Sequence, residues 1–219
     1  MSGDVYAVRR AGMVATQIAA RGVTDPAVLA AMRTVPREAF VRPEWAEFAY
    51  DDLPLPIGAG QTISQPYIVA VMTAALRPTP TDRVLEIGTG SGYAAAVLHC
   101  IVKQVYTVER LAPLYRLARR RLRRLSYQNV VVHFGNGTLG WPEHAPYDRI
   151  MVTAAPDLIP PSLLQQLKPR GKMVIPTGIP DQQQLLLVEK NEQGRISTRE
   201  ILAVRFSELE EPTGLVGRG

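Results

Sequence analysis

The residues able to do chemistry in this 219-residue chain converge on Val84–Tyr93, which reads Val-Leu-Glu-Ile-Gly-Thr-Gly-Ser-Gly-Tyr. Glycine stands at every second position, Gly88, Gly90 and Gly92, so the backbone can approach a ligand with no Cβ in the way. An apolar strand leads in and a helix leads out from about Tyr93, its unpaired N–H groups facing the same spot. Dinucleotide-binding turns follow G-x-G-x-x-G and set a pyrophosphate on the helix end. Here the spacing is one residue shorter, and Glu86 precedes the first glycine. A carboxylate there opposes a pyrophosphate and suits an amine-bearing ligand. A second acid, Glu109, closes the next apolar run, Val105–Val108, 17 residues past Gly92. That is near the offset of about 20 at which an acid takes ribose hydroxyls. S-adenosylmethionine carries a ribose, an α-amino group, a sulfonium and no phosphate, and it fits this pair of acids. The glycines alone are a weak signal, because similar turns occur in α/β proteins that bind nothing there.

The surrounding pattern supplies elements to hold such a turn. Helical periodicity covers about Val5 to Arg21 and ends near Gly22. Asp25-Pro26 reads as an N-cap followed by proline at the first helical position, opening a short helix to about Thr34. Pro36 to Pro56 is irregular, and Ser64 is placed to cap a helix from Gln65 to Leu76. Strands are expected near Arg83–Ile87, Gln104–Val108, Val130–Phe134, Arg149–Thr153 and Lys172–Pro176, with helices between them, which predicts a doubly wound, mostly parallel α/β sheet. Leu185–Glu189 and Ile196–Val204, joined by the polar turn Asn191–Gly194, predict an antiparallel pair that completes seven strands. Residues 210–219 are polar and glycine-rich and are expected to fray.

Composition narrows the classes further. Hydrophobic residues make up 46%, enough for a packed core. The single cysteine, Cys100, excludes an intrachain disulfide and a cysteine-rich zinc site and is expected to be a small core residue in a reducing compartment. No run reaches signal-peptide or membrane-spanning length, so a soluble, cytoplasmic protein with no membrane association is expected. Net charge is +5, with Arg116, Arg119, Arg120, Arg121, Arg123 and Arg124 crowded together. Tyr115, Leu117, Ala118, Leu122 and Leu125 interleave with them at roughly helical spacing, which reads as an amphipathic helix with a solvated basic face. A nucleic-acid patch is the competing reading, but no aromatic binding module or basic tail accompanies it, so no nucleic-acid partner is expected.

Three stretches together resemble the protein-L-isoaspartate O-methyltransferase family. They are Leu55-Pro-Ile-Gly-Ala-Gly-Gln-Thr-Ile-Ser-Gln-Pro-Tyr67, Val84–Tyr93, and Ala145-Pro-Tyr-Asp-Arg-Ile-Met-Val-Thr-Ala-Ala-Pro156. The resemblance runs from about residue 10 to about 205, and Gly-x-Gly-Gln-Thr-Ile-Ser-x-Pro is far more specific than the glycine turn. It implies a single Rossmann-like methyltransferase domain over 1–219, with a helical, substrate-side extension at 1–76 and a cofactor-binding core at 77–206. It implies transfer of a methyl group from S-adenosylmethionine to the free α-carboxylate of isoaspartyl residues in damaged proteins. The resulting ester then closes to a succinimide, whose hydrolysis partly restores aspartate. The alternative is a carboxyl O-methyltransferase of the same ancestry acting on another peptide or small-molecule carboxylate.

A carboxylate nucleophile is already ionised at neutral pH and needs no general base. His99, His133 and His144 are accordingly given no catalytic role, and no metal-ligand spacing is present. By the resemblance, Glu86, Gly88, Thr89, Gly90, Ser91 and Gly92 hold the methionine part of the cofactor, and Glu109 takes the ribose. Thr62, Ile63 and Ser64 line the methyl-transfer site, Ile63 on the cofactor side and Ser64 Oγ near the substrate carboxylate. Thr153 closes the crevice at the end of a strand. Asn136, in Gly135-Asn136-Gly137, stands where the family usually has an aspartate that contacts adenine. A second departure is Arg205-Phe-Ser-Glu-Leu-Glu-Glu211, where the family carries Val-Pro-Leu. It adds acids near the expected peptide site.

Overall fold

The computed structural model describes residues 2–209, with side chains from residue 5 onward. Seven strands form one sheet in the order β5-β4-β3-β6-β7-β8-β9. They are β3 Arg83–Ile87, β4 Gln104–Glu109, β5 Val130–Phe134, β6 Tyr147–Val152, β7 Leu167–Thr177, β8 Gln183–Lys190 and β9 Ile196–Val204. The first five of these run parallel; β8 is antiparallel to β7 and β9 to β8. Parallel neighbours need crossovers. Here they are α4 Tyr93–His99, α5 Ala112–Arg124 and α6 Pro161–Gln166, along with short irregular turns. Strand order reverses on either side of β3, and in a doubly wound sheet the ligand crevice opens at that point, outside the carboxyl ends of the strands.

Alternation along β3 decides which side chain faces which layer. Leu85 and Ile87 join a cluster with Val108, Ile150 and Val152 on one face. Val84 points the other way, into a cluster with Ala70, Met72, Val97 and Val105. Glu86, two residues on from Val84, therefore projects into the second layer, beneath α3 Pro66–Leu76 and α4. Val84, Leu85 and Ile87 are at most 1% exposed, each burial contributing about 1.5–3 kcal/mol before entropy costs.

The N-terminal layer departs from its expected regularity. Helical winding does run from Ser2 to Arg21 and stops at Gly22 with φ 94°, but it is not one helix. α1 covers Ser2–Met13, a π-helical turn covers Val14–Ile18 and a 3-10 turn covers Ala19–Arg21. Asp25 caps α2 Pro26–Thr34, accepting from the amides of Ala27 and Val28, as its sequence signature requires. A two-stranded hairpin, β1 Leu55–Gly58 and β2 Gln61–Ile63, was not foreseen.

Three other expectations need correction. Ser64 is not the N-cap of α3; Gln65 holds that position, with no side-chain cap bond. Pro66 starts the helix with its preset φ, which moves the cap one residue along and leaves the Ser64 hydroxyl free to face a cavity. Cys100 is exposed, not core, because α4 ends at His99 and puts it on the turn that follows. Arg121 is not on the solvated face of α5. It is 9% exposed and donates to the Ser91 carbonyl at 2.8 Å, whereas Arg116, Arg119, Arg120, Arg123 and Arg124 are exposed as expected. The segment 210–219 lies outside the described residues.

Candidate active site

All three glycines of the turn after β3 have left-handed φ values, 92° at Gly88, 53° at Gly90 and 89° at Gly92. At Gly88 a Cβ would stand 2.5 Å from Thr153 Oγ1, so no side chain fits there. Thr153 in turn lies within hydrogen-bonding distance of the carbonyls of Ile87 and Gly88, at 2.9 and 2.7 Å. The end of β6 is thereby tied to the turn.

Glu109, at the end of β4 and 5% exposed, anchors the same turn from the other side. Its Oε2 accepts the Gly90 amide at 2.9 Å and its Oε1 the Leu111 amide at 2.9 Å. Both oxygens keep a further lone pair for ligand hydroxyls. Thr89 is also held, its hydroxyl 2.6 Å from Thr107 Oγ1.

Two cavities meet over this turn and share Thr62, Gly88, Gly90 and Thr153. The larger, about 180 Å³, is lined by Glu109, Val108, Leu111, Leu114 and Gly137 among others. The smaller, about 50 Å³, reaches Ile63, Ser64, Glu86, Thr89, Ser91 and Tyr93. The hairpin β1–β2 and the start of α3 bring residues 61–64 over the glycine turn, so segments more than 20 residues apart in sequence converge there. Of the expected site residues, Thr62, Ile63, Ser64, Glu86, Gly88, Thr89, Gly90, Ser91, Glu109, Gly137 and Thr153 line one or both cavities. Gly92 does not; it is the left-handed N-cap of α4, packed against Leu122. Asn136 does not either. Its Oδ1 accepts from Thr138 N at 3.0 Å and Thr138 Oγ1 at 3.1 Å, capping the short turn Gly137–Leu139.

Glu86 is the electrostatic feature of the smaller cavity. It is fully buried; Thr107 Oγ1 lies 2.5 Å from its Oε2, and its Oε1 has no partner. Burial pushes its pKa up to about 8, the Thr107 hydrogen bond works against that, and the charge of Glu109 adds to the rise. An orphaned carboxylate oxygen facing a cavity is costly unless a donor arrives. The α-amino group of S-adenosylmethionine is such a donor, and Glu86 lines the smaller cavity through which one can arrive.

Several cavity residues were not among the expected site residues. Ala59 and Gln61 enter through the unforeseen hairpin, whose Gly58-Ala59-Gly60 turn, all at positive φ, is a glycine turn signature between two short strands. Leu111 and Leu114 enter because α5 begins at Ala112, three residues after Glu109, with Leu111 as its N-cap. Glu208 and Leu209 line the larger cavity because a parallel bridge ties the segment back. Ala155 N donates to Ser207 O and Leu209 N to Ala155 O, both at 2.8 Å. The acidic departure thus touches the cavity through Glu208; Glu210 and Glu211 lie outside the described residues.

The parallel sheet with its reversed final strands, and a glycine turn held between two buried acids at its switch point, define a Rossmann-like methyltransferase domain. More narrowly, the chain belongs to the protein-L-isoaspartate(D-aspartate) O-methyltransferase family, whose sequence model matches residues 9–213. It is 54% identical over 202 residues to protein-L-isoaspartate O-methyltransferase 1 of Polaromonas sp., covering 92% of this chain and 85% of that protein. It is 57% identical over 202 residues to protein-L-isoaspartate O-methyltransferase 2 of Pelobacter propionicus, covering 92% and 90%. A solved protein-L-isoaspartate O-methyltransferase structure superposes with a TM-score of 0.82 at 30% identity, over 91% of this chain and 65% of that one.

Proposed function

We propose that the protein transfers a methyl group from S-adenosylmethionine to the free carboxylate of L-isoaspartyl residues in damaged proteins, the first step of their repair. The observation that carries this reading is the junction of the two cavities at Thr62, Gly88, Gly90 and Thr153. It puts the Gln61–Ser64 segment, the most family-specific stretch of the chain, directly against the glycine turn. In this reading residues 77–206 form the cofactor core and residues 1–76 the substrate side.

Glu109 and the turn receive the ribose, Glu86 the amino group, and Gly137 borders the adenine. Bound there, the cofactor supplies a methyl group activated on a sulfonium. The chain's own residues orient and enclose. Thr62 and Ser64 place the incoming carboxylate at the cavity junction, and Ile63, 3% exposed, shields it from water. No base is called for, because the nucleophile arrives ionised. Alignment of this kind supplies about 7–11 kcal/mol of barrier reduction.

One observation favours the second reading, a carboxyl methyltransferase with another substrate. Glu208 borders the cofactor cavity and the neighbouring groove formed by Ala155–Ser162, where it opposes an anionic peptide. Labelled S-adenosylmethionine offered with an isoaspartyl peptide, the matching aspartyl peptide and bulk RNA separates the readings. A cytoplasmic location belongs to the same proposal. Among the described residues no helix is long and apolar enough to cross a membrane.

A further inference from the structure

Two hydroxyls and one carboxyl group form an unbroken chain beneath the glycine turn. Glu86 and Thr107 are direct partners in the parallel β3–β4 register and project to the same face of the sheet. Thr107 Oγ1 lies 2.5 Å from Glu86 Oε2 and 2.6 Å from Thr89 Oγ1. Thr107 is fully buried and Thr89 4% exposed, so water does not compete for these bonds. Each hydroxyl has one proton to donate, and the chain therefore has two polarities. With Glu86 neutral, its carboxyl proton goes to Thr107, and Thr107 donates to Thr89. With Glu86 ionised, Thr89 donates to Thr107, and Thr107 donates to the carboxylate. Thr89 belongs to the turn itself, its amide on Val108 O at 3.3 Å and its carbonyl accepting from Gly92.

The other end of Glu86 has no such alternative. Oε1 is buried and without a partner, and Glu86 lines the smaller cavity. The groups facing it are few. On β4 they are Thr107 and the like-charged Glu109. On β6 the register partner Met151 carries no charge, and from α3 come Val69 and Met72. On α4 there is Tyr93, whose ring has Arg37 stacked behind it, the guanidinium carbon 4.8 Å from the ring centre. On α5, Arg121 is engaged with Ser91 O. No cation pairs with Glu86 among the described residues.

Resting on the cofactor reading above, we propose that Thr107 and Thr89 act as a reversible hydrogen-bond relay for Glu86, so that seating a ligand ammonium on Glu86 Oε1 expels one proton from the site. The balance is simple: neutral carboxyl plus ammonium gives a carboxylate–ammonium pair plus one proton delivered to solvent through the cavity. No covalent bond other than the carboxyl O–H is broken. The high pKa of about 8 that burial gives Glu86 is consistent with the neutral form in the ligand-free protein. Thr107 is a positioning residue in this scheme, since it touches no ligand and acts by stabilising the ionised carboxylate.

The test is titration calorimetry of the full chain with S-adenosylhomocysteine at about pH 6.5, in buffers of different ionisation enthalpy. An ordinary α-amino group, with a pKa of about 7.7–8.0, is already cationic there, so a released proton comes from the protein. The expected release approaches about one proton, and affinity strengthens by close to tenfold per pH unit between about pH 6 and 7.5. Glu86→Gln should bind more weakly and release none. Thr107→Val should move the pH dependence to higher pH, with an affinity deficit that is nearly constant below about pH 7.5 and shrinks as pH rises through about 8 to 9, and Thr107→Ser should restore the parent profile. Proton-neutral binding by the parent, or a Thr107→Val deficit that stays undiminished up to about pH 9, would overturn the relay. If methyl transfer to an isoaspartyl peptide persists in that case, the proposed function stands without it. No binding of S-adenosylhomocysteine at all would overturn both.

Discussion

Glu109 Oε2 accepts the Gly90 amide at 2.9 Å, so the acid that ends β4 holds the middle glycine of the turn that follows β3. The carboxylate proposed to receive the ribose is thus also the strut of the glycine turn. Glu109→Ala removes charge-assisted bonds worth about 1.5–3 kcal/mol each, on both the turn and the ligand. Cofactor affinity should fall by at least about tenfold, with far-ultraviolet circular dichroism unchanged. Parent-like affinity by calorimetry would remove Glu109 from the site.

Asn136 has a structural duty that its place in the family pattern did not reveal. Its Oδ1 caps the turn Gly137–Leu139 through Thr138, and Gly137 beside it lines the larger cavity. Asn136→Asp keeps the acceptor and should match or exceed the parent in cofactor affinity. Asn136→Leu loses the cap, at a cost of about 1 kcal/mol, and should lower both Tm and affinity. If both variants bind like the parent, the position does not act on the adenine side.

The bridge between Ser207, Leu209 and Ala155 uses Ser207 O and Leu209 N and engages no amide from Glu208. Proline at that position is therefore compatible with the backbone pairing. Glu208→Pro also removes an acid from the cavity rim. It should lower KM for an isoaspartyl peptide several-fold with kcat nearly constant, as expected when a penalty common to ground state and transition state is lifted. A KM that stays put, or a loss of folding, counts against this placement.

Burial holds Glu86 neutral up to about pH 8 in the folded chain, against an ordinary value of 4.5. The folded state therefore binds the extra proton between those values. Stability from this group is full below about pH 4.5, declines as pH rises through about 8, and is level above that. Urea unfolding of ligand-free protein at about pH 5, 7 and 9 should show that decline in the parent and a flatter profile in Glu86→Gln. Parallel profiles would mean that Glu86 is not the group responsible.

Much of the sheet was legible because its strands are apolar runs bounded by turn signals. Arg83–Ile87 and Ile196–Val204 match the observed limits. β7 starts at Leu167, five residues before its expected start, because Pro169, Arg170 and Gly171 read as a breaker; Arg170 in fact sits at φ 63° inside the strand. The hairpin β1–β2 was hidden because its strands, of four and three residues, are too short to show alternation. At the candidate site the acids and glycines were visible as types at a spacing. The burial of Arg121 was not, because one arginine among six on a helix looks like its neighbours until packing turns it toward Ser91. Nor was the Glu86–Thr107 contact, which depends on the β3–β4 register.

The central claim is methyl transfer to an isoaspartyl carboxylate, and the most direct measurement is transfer of labelled methyl from S-adenosylmethionine to paired peptides that differ only at one residue, isoaspartyl or aspartyl. Base-labile methyl ester should form on the isoaspartyl peptide and stay at background on the aspartyl one. A folded protein that binds the cofactor yet methylates neither peptide, or both equally, would contradict the account.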